Sequence, residues 1–251
     1  MQTNKLMSII SPKAKIGKNV KIGSFCTIHE NVEIGDDSII EDYCTLGYPT
    51  PLSGGQPLVI GKNALIRSYS LVYEGTHIGN NLKTGHRVTI REKAIIGNDF
   101  QLGTLGDIQG DCEIGDYVRC HSNVHISQKS KIHNFVWIFP YVVLTNDPHP
   151  PSDGFLDGVE IKEYAVIATM SCLLPGVKIG KNALVGAHSV VNQDVQSDTV
   201  VVGIPAKRIC FTRDIKLKNG SGQPAYPWTT HFHRGYPDHI VDRWGRGEID
   251  F

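Results

Sequence analysis

The sequence lacks an excess of charge of either sign. Its 25 Lys and Arg residues balance its 25 Asp and Glu residues, and no run of like charge occurs. Binding of nucleic acid through a basic face needs such an excess, so the composition argues against it. The segment Met1 to Ile10 also has no apolar run of the length that a signal peptide or a membrane span needs. We therefore expect no nucleic-acid partner and no membrane insertion.

Paired cysteine motifs are absent as well. Six cysteines are present, but none forms a CxxC pair or a Cys/His finger, so we expect no structural zinc. In the repeat described next, Cys26, Cys44 and Cys112 occupy the same kind of small-residue position, and Cys120 replaces an aliphatic residue. We expect small buried thiols in a reducing cytoplasm, not disulfides.

What the sequence does have is a branched aliphatic residue at every sixth position. Only Thr84 and Cys120 depart from Ile, Leu or Val among 28 such positions: Ile10, Ile16, Ile22, Ile28, Ile34, Ile40, Leu46; Ile60, Ile66, Val72, Ile78, Thr84, Ile90, Ile96, Leu102, Ile108, Ile114, Cys120, Ile126, Ile132, Ile138, Leu144; Ile161, Ile167, Leu173, Ile179, Val185 and Val191. Neither a helix nor a single alternating strand has this period. It predicts an all-β hexapeptide-repeat solenoid with the 28 side chains inside.

A second period, three hexads long, overlies the first. Ile-Gly pairs recur at this spacing, for example Ile60-Gly61 and Ile78-Gly79, so one coil has three sides. We expect these glycines at a corner whose backbone angles glycine reaches without a Cβ penalty. Residues two before each aliphatic are small or apolar, as a narrow triangular core requires. About nine coils at the strand spacing give a prism roughly 45 Å tall.

Two Gly- and Pro-rich insertions interrupt the count, at 47–59 and 145–160, and the repeat stops near residue 206. Such loops leave a solenoid at its corners and usually build its binding face. The aromatic residues after 206 predict a segment that covers the edge of the last coil. We expect one β-helix domain over 1–206 and a C-terminal capping segment over 207–251.

The repeats, the loop after Leu144, and the stretch LLPGVKIGKNALVGAHSVV followed by GIPAKRI resemble the left-handed parallel β-helix acyltransferases over residues 8–210. The resemblance implies a left-handed coil, which is an exception to the usual crossover rule. It also implies a homotrimer with acetyl-CoA or another acyl-CoA between subunits. The TNDPHP loop and the long N-terminal stack are similar to enzymes that N-acetylate nucleotide-linked amino sugars for surface polysaccharides.

Acyl transfer to an amine or a hydroxyl needs a proton acceptor, and imidazole is the usual one. His149 lies on the TNDPHP loop, and the resemblance favours it slightly over His125 as the base. Asp147 is expected to orient His149, to receive the proton or to cap the turn before Pro148, while Asn146 is expected to cap this turn. The alternatives are an exposed loop histidine and a packed interface histidine.

Further polar residues near the hexads are candidates for binding the acceptor. The central candidates, which could equally be surface or turn residues, are His86, Arg91, Glu92, Asp107 and His121. Tyr48 and Arg67 flank the first insertion, where they could stack on a nucleotide base and pair with its phosphate.

For the cofactor, the resemblance points to small residues that let the backbone approach pantetheine, and to two cations for the phosphates of CoA. These residues are Ala168, Thr169, Ser171, Gly186, Ala187, Lys207 and Arg208.

Three other functions fit parts of the pattern. A sugar O-acetyltransferase shares every feature above. A γ-type carbonic anhydrase needs three histidines on a metal, and His86, His121 and His125 resemble that set, but their spacing differs from that family. A non-catalytic trimeric scaffold need not keep the histidine loop and the phosphate-binding end together. We therefore expect no metal.

Overall fold

The computed structural model describes residues 7–248; the ends of the two predicted domains, 1–6 and 249–251, lie outside the described residues. Thirty short strands follow one another: β1 Ile9–Ile10, β2 Lys15–Ile16, β3 Lys21–Ile22, β4 Thr27–Ile28, β5 Val32–Ile34, β6 Ile39–Ile40, β7 Thr45–Tyr48, β8 Leu58–Ile60, β9 Leu65–Ile66, β10 Leu71–Tyr73, β11 His77–Ile78, β12 Lys83–Thr84, β13 Thr89–Ile90, β14 Ala94–Ile96, β15 Gln101–Leu102, β16 Asp107–Ile108, β17 Cys112–Ile114, β18 Arg119–Cys120, β19 His125–Ile126, β20 Lys131–Ile132, β21 Trp137–Ile138, β22 Val143–Leu144, β23 Glu160–Ile161, β24 Val166–Ile167, β25 Cys172–Leu173, β26 Lys178–Ile179, β27 Leu184–Val185, β28 Val190–Val191, β29 Thr199–Gly203 and β30 Ala206–Phe211. Three 3₁₀ turns at Pro51–Ser53, Thr212–Asp214 and Trp228–Thr230 and one helix, α1 Asp238–Gly245, complete the elements.

Every third strand joins the same parallel sheet, so the chain winds as a three-sided β-helix. Face A holds ten strands from β1 to β28, face B nine from β2 to β26, and face C eleven from β3 to β30. Up to β28, partners in register are three hexads apart wherever no insertion intervenes, as in the pairs of Asp107 with Thr89 and with His125. The last coil is two residues shorter, since Leu184 pairs with Val200. The predicted hexapeptide solenoid is confirmed, with ten coils on face A where about nine were expected.

The aliphatic ladder fills the interior. All of the 28 repeat positions are buried except Ile10 and Ile16, which are 41% and 36% exposed. These two were wrongly predicted as interior, because they belong to the first coil, whose outer side no described residue covers. Thr84 and Cys120 are buried in line with their aliphatic neighbours. All six cysteines are free thiols, and Cys26, Cys44, Cys112 and Cys120 are buried, as expected.

The small residues two before each aliphatic line the corners of the core. In several coils this residue is a buried serine whose hydroxyl donates to a backbone carbonyl. Ser38 bonds to Gly35 at 2.9 Å and Ser171 bonds to Gly186 at 3.0 Å. Such a hydroxyl is tolerated in this apolar interior because it has a carbonyl partner at the corner.

The repeated glycines have a different cause from the one that the sequence suggested. Gly61, Gly79 and Gly97 do not have positive φ angles. They are glycines because the coils touch there: a Cβ on Gly61 would lie 2.6 Å from the carbonyl carbon of Gly79, and one on Gly79 would lie 2.8 Å from that of Gly97. The constraint is steric contact between coils, not backbone angle.

The left-handed corner angles belong to other residues, three positions after the aliphatic. On the corner between faces B and C, Asn63, Asn81 and Asp99 have φ values of 57°, 63° and 55°. Asn and Asp tolerate this conformation better than most side chains. Their side chains also bond from coil to coil, Asn63 to Asn81 at 3.3 Å and Asn81 to Asp99 at 3.2 Å.

Both insertions leave the coil between faces A and B. The first is tied down by Glu74, whose carboxylate accepts from the hydroxyl of Ser53 at 2.7 Å and from the backbone of Thr50 at 3.0 Å. The second is tied to the coil before it, because the Asn146 amide donates to the carbonyl of Gln128 at 3.2 Å. Two loops of independent sequence therefore emerge beside the same edge of face A.

The C-terminal segment contacts the solenoid in two places. Strand β30 pairs antiparallel with β29 and forms the last edge of face C. The chain beyond it packs sideways against the corner of faces B and C, where Phe135 and Tyr164 stack with centroids 4.9 Å apart. Trp228 and Trp244 of the segment are buried against this stack. The division at residue 206 stays a prediction. No helix among residues 7–248 has the length and apolar character needed to cross a membrane.

The contact between coils at the glycine ladder can be tested by adding one methyl group. We expect Gly79→Ala to lower stability by ~1–3 kcal/mol, because backbone atoms on the neighbouring coil cannot move away as a side chain would. The measurement is the urea midpoint of unfolding by circular dichroism.

Gly245→Ala is the matched control, because a Cβ there meets no atom within 4 Å and the residue ends α1. It should be neutral or stabilising by up to ~1 kcal/mol. Equal midpoints for the two variants would contradict a steric role for Gly79.

Candidate functional site

A histidine and a carboxylate meet on the outer surface of face A. His125 and Asp107 occupy the same position in successive coils, and Nδ1 of His125 lies 2.9 Å from Oδ2 of Asp107. Each precedes a buried isoleucine in a two-residue strand, so both side chains point outward. The side chains are 36% and 34% exposed. Both residues were candidates from the sequence, but as separate residues and not as a pair.

The pair fixes the tautomer of the imidazole. The hydrogen bond from His125, together with that from Gln109, lowers the pKa of the Asp107 carboxyl, so Asp107 is an acceptor at neutral pH. The proton between them therefore belongs to Nδ1 of His125, and Nε2 is the nitrogen that can accept a proton. This is the arrangement of a general base held by a carboxylate.

Neighbouring coils on face A complete the polar surface. The Gln109 amide donates to Asp107 Oδ2 at 2.7 Å, and Arg91 contributes its positive charge to the environment of Asp107. Arg91 is held by the buried carboxylate of Glu92, with Nη2 and Oε1 2.9 Å apart, and its guanidinium lies 5.7 Å from the Tyr73 ring centroid. Because Glu92 is buried under Arg91, it acts on the site only through Arg91.

Tyr48 is part of the same face. Its ring meets that of Tyr73 edge-on at 5.2 Å and is 46% exposed, beside the first insertion. Gln109 and Tyr73 were missed by the sequence reasoning. The signal for both was the three-hexad register, because Tyr73, Arg91 and Gln109 occupy one position in three successive coils.

The second insertion presents His149 to solvent. The Asp147 carboxylate accepts from the backbone amides of His149 at 3.0 Å and of Ser152 at 2.9 Å, and from the Ser152 hydroxyl. These bonds lower the pKa of Asp147. Asp147 therefore shapes the loop and does not orient the imidazole of His149, contrary to one of the roles expected for it. Asn146 anchors the loop through Gln128 rather than capping the turn.

Three of the expected acceptor-binding residues lie away from face A. His121 is on face C, stacked on Phe139 with centroids 4.7 Å apart, and burial lowers its pKa. His86 is exposed at the corner of faces C and A. Arg67 is also on face C and pairs with Glu41 at 2.7 Å. Within a single chain Tyr48 and Arg67 lie on different faces, so the expectation that they hold one nucleotide stays a prediction.

The expected cofactor residues gather at the last coils. Thr169 accepts the backbone N–H of His188 at 2.9 Å, and Gly186 donates to Val201 at 2.8 Å; Ala168, Ser171 and Ala187 are their neighbours on face C and its corner. Gly186 packs so closely that a Cβ would lie 2.5 Å from Val202. The small size of Gly186 therefore has a packing cause here, and the role of these residues in binding stays a prediction.

Lys207 and Arg208 lie on β30, opposite Val202 and Val201. Both are exposed and line a pocket of about 320 Å³ at the end of the solenoid. The guanidinium of Arg208 also stacks on Phe211 at 4.2 Å. Two cations at the rim of this pocket could meet an anionic ligand.

The carbonic anhydrase alternative needs three histidines together. Within the chain, His121 stacks on Phe139 of face C whereas His125 bonds to Asp107 of face A. No cluster of three metal-ligating side chains occurs among residues 7–248. The chain by itself offers no assembled metal site of that kind.

Comparison with known proteins agrees with the repeat. Residues 13–48 match the family "Bacterial transferase hexapeptide (six repeats)", and residues 175–203 match "Hexapeptide repeat of succinyl-transferase". A bifunctional protein GlmU from Thermosipho africanus is 28% identical over 66% of this chain and 32% of its own length. An acyl-[acyl-carrier-protein]–UDP-N-acetylglucosamine O-acyltransferase from Rickettsia bellii is 37% identical over 30% of this chain and 37% of its own length.

The chain thus spans about a third of these relatives. Among solved structures, a UDP-N-acetylglucosamine acyltransferase from Campylobacter jejuni aligns with a TM-score of 0.51 and 19% identity, over 97% of this chain and 83% of the other. The Arabidopsis enzyme of the same name aligns with a TM-score of 0.50 and 21% identity, over 81% of this chain and 72% of the other. At these identities the likeness is one of fold. The matched repeats and the three-sided coil fit a hexapeptide-repeat acyltransferase.

Proposed function

We propose that the protein transfers an acyl group from a thioester to a nucleotide-linked sugar, with His125 as the general base. The observation that carries this proposal is the hydrogen bond between His125 Nδ1 and Asp107 on face A, beside the edge from which both insertions emerge. Two of the similar proteins are named as acyltransferases of UDP-N-acetylglucosamine, which supports this substrate class.

The pair can carry both proton transfers of the reaction. Nε2 of His125 removes the proton from the acceptor as the acceptor attacks the thioester carbonyl, and Asp107 stabilises the imidazolium that forms. When the tetrahedral intermediate collapses, the carbon–sulfur bond breaks and the thiolate takes the proton from Nε2. The imidazole then returns to its starting form.

The acceptor we propose first is the amino group of a nucleotide-linked amino sugar, in the biosynthesis of surface polysaccharides. An amine is already nucleophilic once it has lost its proton, so the base needs only to keep it neutral. O-acylation is the second candidate, because an alcohol depends on a base throughout the attack. The His125–Asp107 pair favours this second reaction, and so do the relatives named as O-acyltransferases.

For the donor we propose acetyl-CoA or another acyl-CoA, with pantetheine along Ala168–Ser171 and Gly186–Ala187 and the phosphates near Lys207 and Arg208. A relative named for an acyl-carrier protein makes that donor the alternative. A cytoplasmic location stays a prediction.

We further propose a homotrimer whose clefts contain the site. The His125–Asp107 pair lies on an open face of a single chain, where its two side chains are 36% and 34% exposed. Exclusion of water from the reacting thioester requires a second wall. A neighbouring subunit could supply this wall.

The reaction is tested by thiol release. We expect release of free CoA when the protein meets acetyl-CoA and a nucleotide amino sugar, and mass spectrometry of the product should show one added acetyl group. Hydroxylamine cleaves esters and leaves amides, so it separates O- from N-acylation. No turnover with acyl-CoA or acyl-carrier protein, across amino and hydroxyl sugar nucleotides, would contradict the proposal.

The base is tested by comparing histidines. His125→Ala should lower kcat by ~10²–10⁴-fold and flatten the acidic limb of the pH–rate profile, since the group that must lose a proton is gone. Asp107→Asn should lower kcat as well, because the amide no longer stabilises the imidazolium.

His77→Ala is the matched control, since His77 is an exposed histidine at the equivalent strand position on face B. It should leave kcat unchanged. If His149→Ala carries the large loss and His125→Ala costs less than tenfold, the loop histidine is the base instead.

The assembly is tested by light scattering at micromolar concentration. We expect a mass three times 27.7 kDa. Because the second wall belongs to a neighbour, dilution to monomer should abolish acyl transfer. A stable monomer with full activity would show that the site is complete within one chain.

A further inference from the structure

The outward side chains of face C change from cationic to apolar along the axis of the solenoid. Successive coils place Lys83, Gln101, Arg119, Trp137 and Val166 in one row, each in register with the next. At the strand spacing, Lys83 and Val166 are about 19 Å apart. A ligand that followed this row would meet charge at one end and hydrocarbon at the other.

The C-terminal segment turns each half of this row into a pocket. Over the apolar half, Tyr226, Trp228 and Phe232 close a pocket of about 210 Å³ against Trp137, Phe139 and Val166. Over the cationic half, Arg234 joins Lys83, Arg119 and His121 around a second pocket of about 360 Å³. Trp137 lines both pockets, and the stack of His121 on Phe139 also bridges them.

The cations of the second pocket form no ion pair with a carboxylate. The guanidinium of Arg119 donates to the carbonyl of Gly235 at 2.9 Å and lies over the rings of Tyr236 and Trp137 at 4.2 and 4.9 Å. The charge of Asp99 acts on Arg119 from outside the pocket, but no ion pair within residues 7–248 involves Lys83, Arg119 or Arg234, and no described Asp or Glu lines either pocket. Three cations around a pocket whose lining has no acid are suited to an anion.

The apolar pocket favours hydrocarbon over a nucleotide base. Its N–H groups are already used: Trp137 donates to the Tyr236 hydroxyl at 3.0 Å, Trp228 to the Tyr164 carbonyl at 3.2 Å, and His231 bonds to the Ala225 carbonyl at 2.8 Å. The polar edge of a base would lose its hydrogen bonds to water there without gaining these N–H groups as partners, which is costly. An alkyl chain has no polar group that needs a hydrogen bond.

We propose that the C-terminal segment and face C form a binding site for a single-chain anionic amphiphile, with its chain between Trp137 and Phe232 and its phosphate or carboxylate at Lys83, Arg119 and Arg234. This site lies on a different face from His125 and does not depend on the acyl-transfer proposal.

Binding is measured without any acyl donor, on the full chain, by calorimetry and by tryptophan fluorescence. Two of the three tryptophans of the sequence, Trp137 and Trp228, line the apolar pocket. The probes are octyl phosphate, octanoate and octanol below their micelle concentrations, and UDP. We expect octyl phosphate to bind at least tenfold more tightly than octanol. Tight binding of octanoate as well would show that a carboxylate suffices; its weak binding would identify phosphate as the preferred head group.

Two kinds of variant separate charge from chain. The double variant K83Q/R234Q should weaken the binding of octyl phosphate at least tenfold and leave the binding of octanol unchanged, since both side chains are exposed and only charge is removed. K21Q is the control, because Lys21 occupies the same row three coils earlier. Val166→Phe should weaken the binding of both octyl phosphate and octanol, because the larger side chain fills the pocket. Thermal melting establishes that this variant folds.

Three results would overturn the site: equal affinity for octyl phosphate and octanol, the same loss in K21Q as in K83Q/R234Q, or saturable binding of UDP with none of octyl phosphate. The last would make the groove a nucleotide site.

Discussion

The structure depends on one constraint: each coil must lie flat on the next at the spacing of a β-ladder. Because every uninterrupted coil contains three hexads, each side chain has the equivalent residues of the coils above and below as its nearest neighbours. A single residue type that stacks well on itself is therefore favoured at a given position, along the whole prism. Aliphatic residues stack inside, glycines stack where backbones touch, amides stack at one corner, and aromatic rings stack farther along that same corner.

The same constraint explains the chemistry of face A. A histidine and an aspartate one coil apart in sequence lie next to each other, because the ladder sets their Cα positions side by side. The fold therefore supplies the orientation of the imidazole without a dedicated turn or loop. Gln109 and Arg91 occupy the neighbouring position in adjacent coils and restrain the carboxylate from the other side. A base built in this way is held by elements that are themselves rigid, which general acid–base catalysis requires.

Much of this could be predicted from the sequence, and the failures have a common origin. The six-residue period predicted the three-sided coil, most of the interior residues and the exit of each insertion at a corner. These properties repeat along the chain, so each position could be compared with many equivalent ones. The cause of the glycines was misread because a close approach and a positive φ both exclude a Cβ, and only the coordinates distinguish them. The pairing of Asp107 with His125 could have been predicted from the three-hexad period, but each was considered as a separate candidate.

The contacts of the second insertion could not be predicted from the sequence, because Asp147 could bond equally to a side chain or to the loop backbone. A non-repeating segment offers no second copy for comparison.

The C-terminal segment shows how a repeat acquires an asymmetric surface. Ladders alone would make the three faces similar along their length. Between Lys83 and Val166 the outward row of face C passes from cationic to aromatic and apolar residues, and residues 225–236 lie over this stretch. Trp137 is packed on both sides, by Arg119 and by Phe232 edge-on at 5.4 Å, so it joins the solenoid to the segment and joins the charged half of the face to the apolar half. An aromatic segment needed only to cover an edge could have packed on the final coil and stopped there. Because it instead returns along the side and encloses the cations of face C in a pocket that no acid lines, its position is better explained by a ligand on that face than by protection of the edge alone.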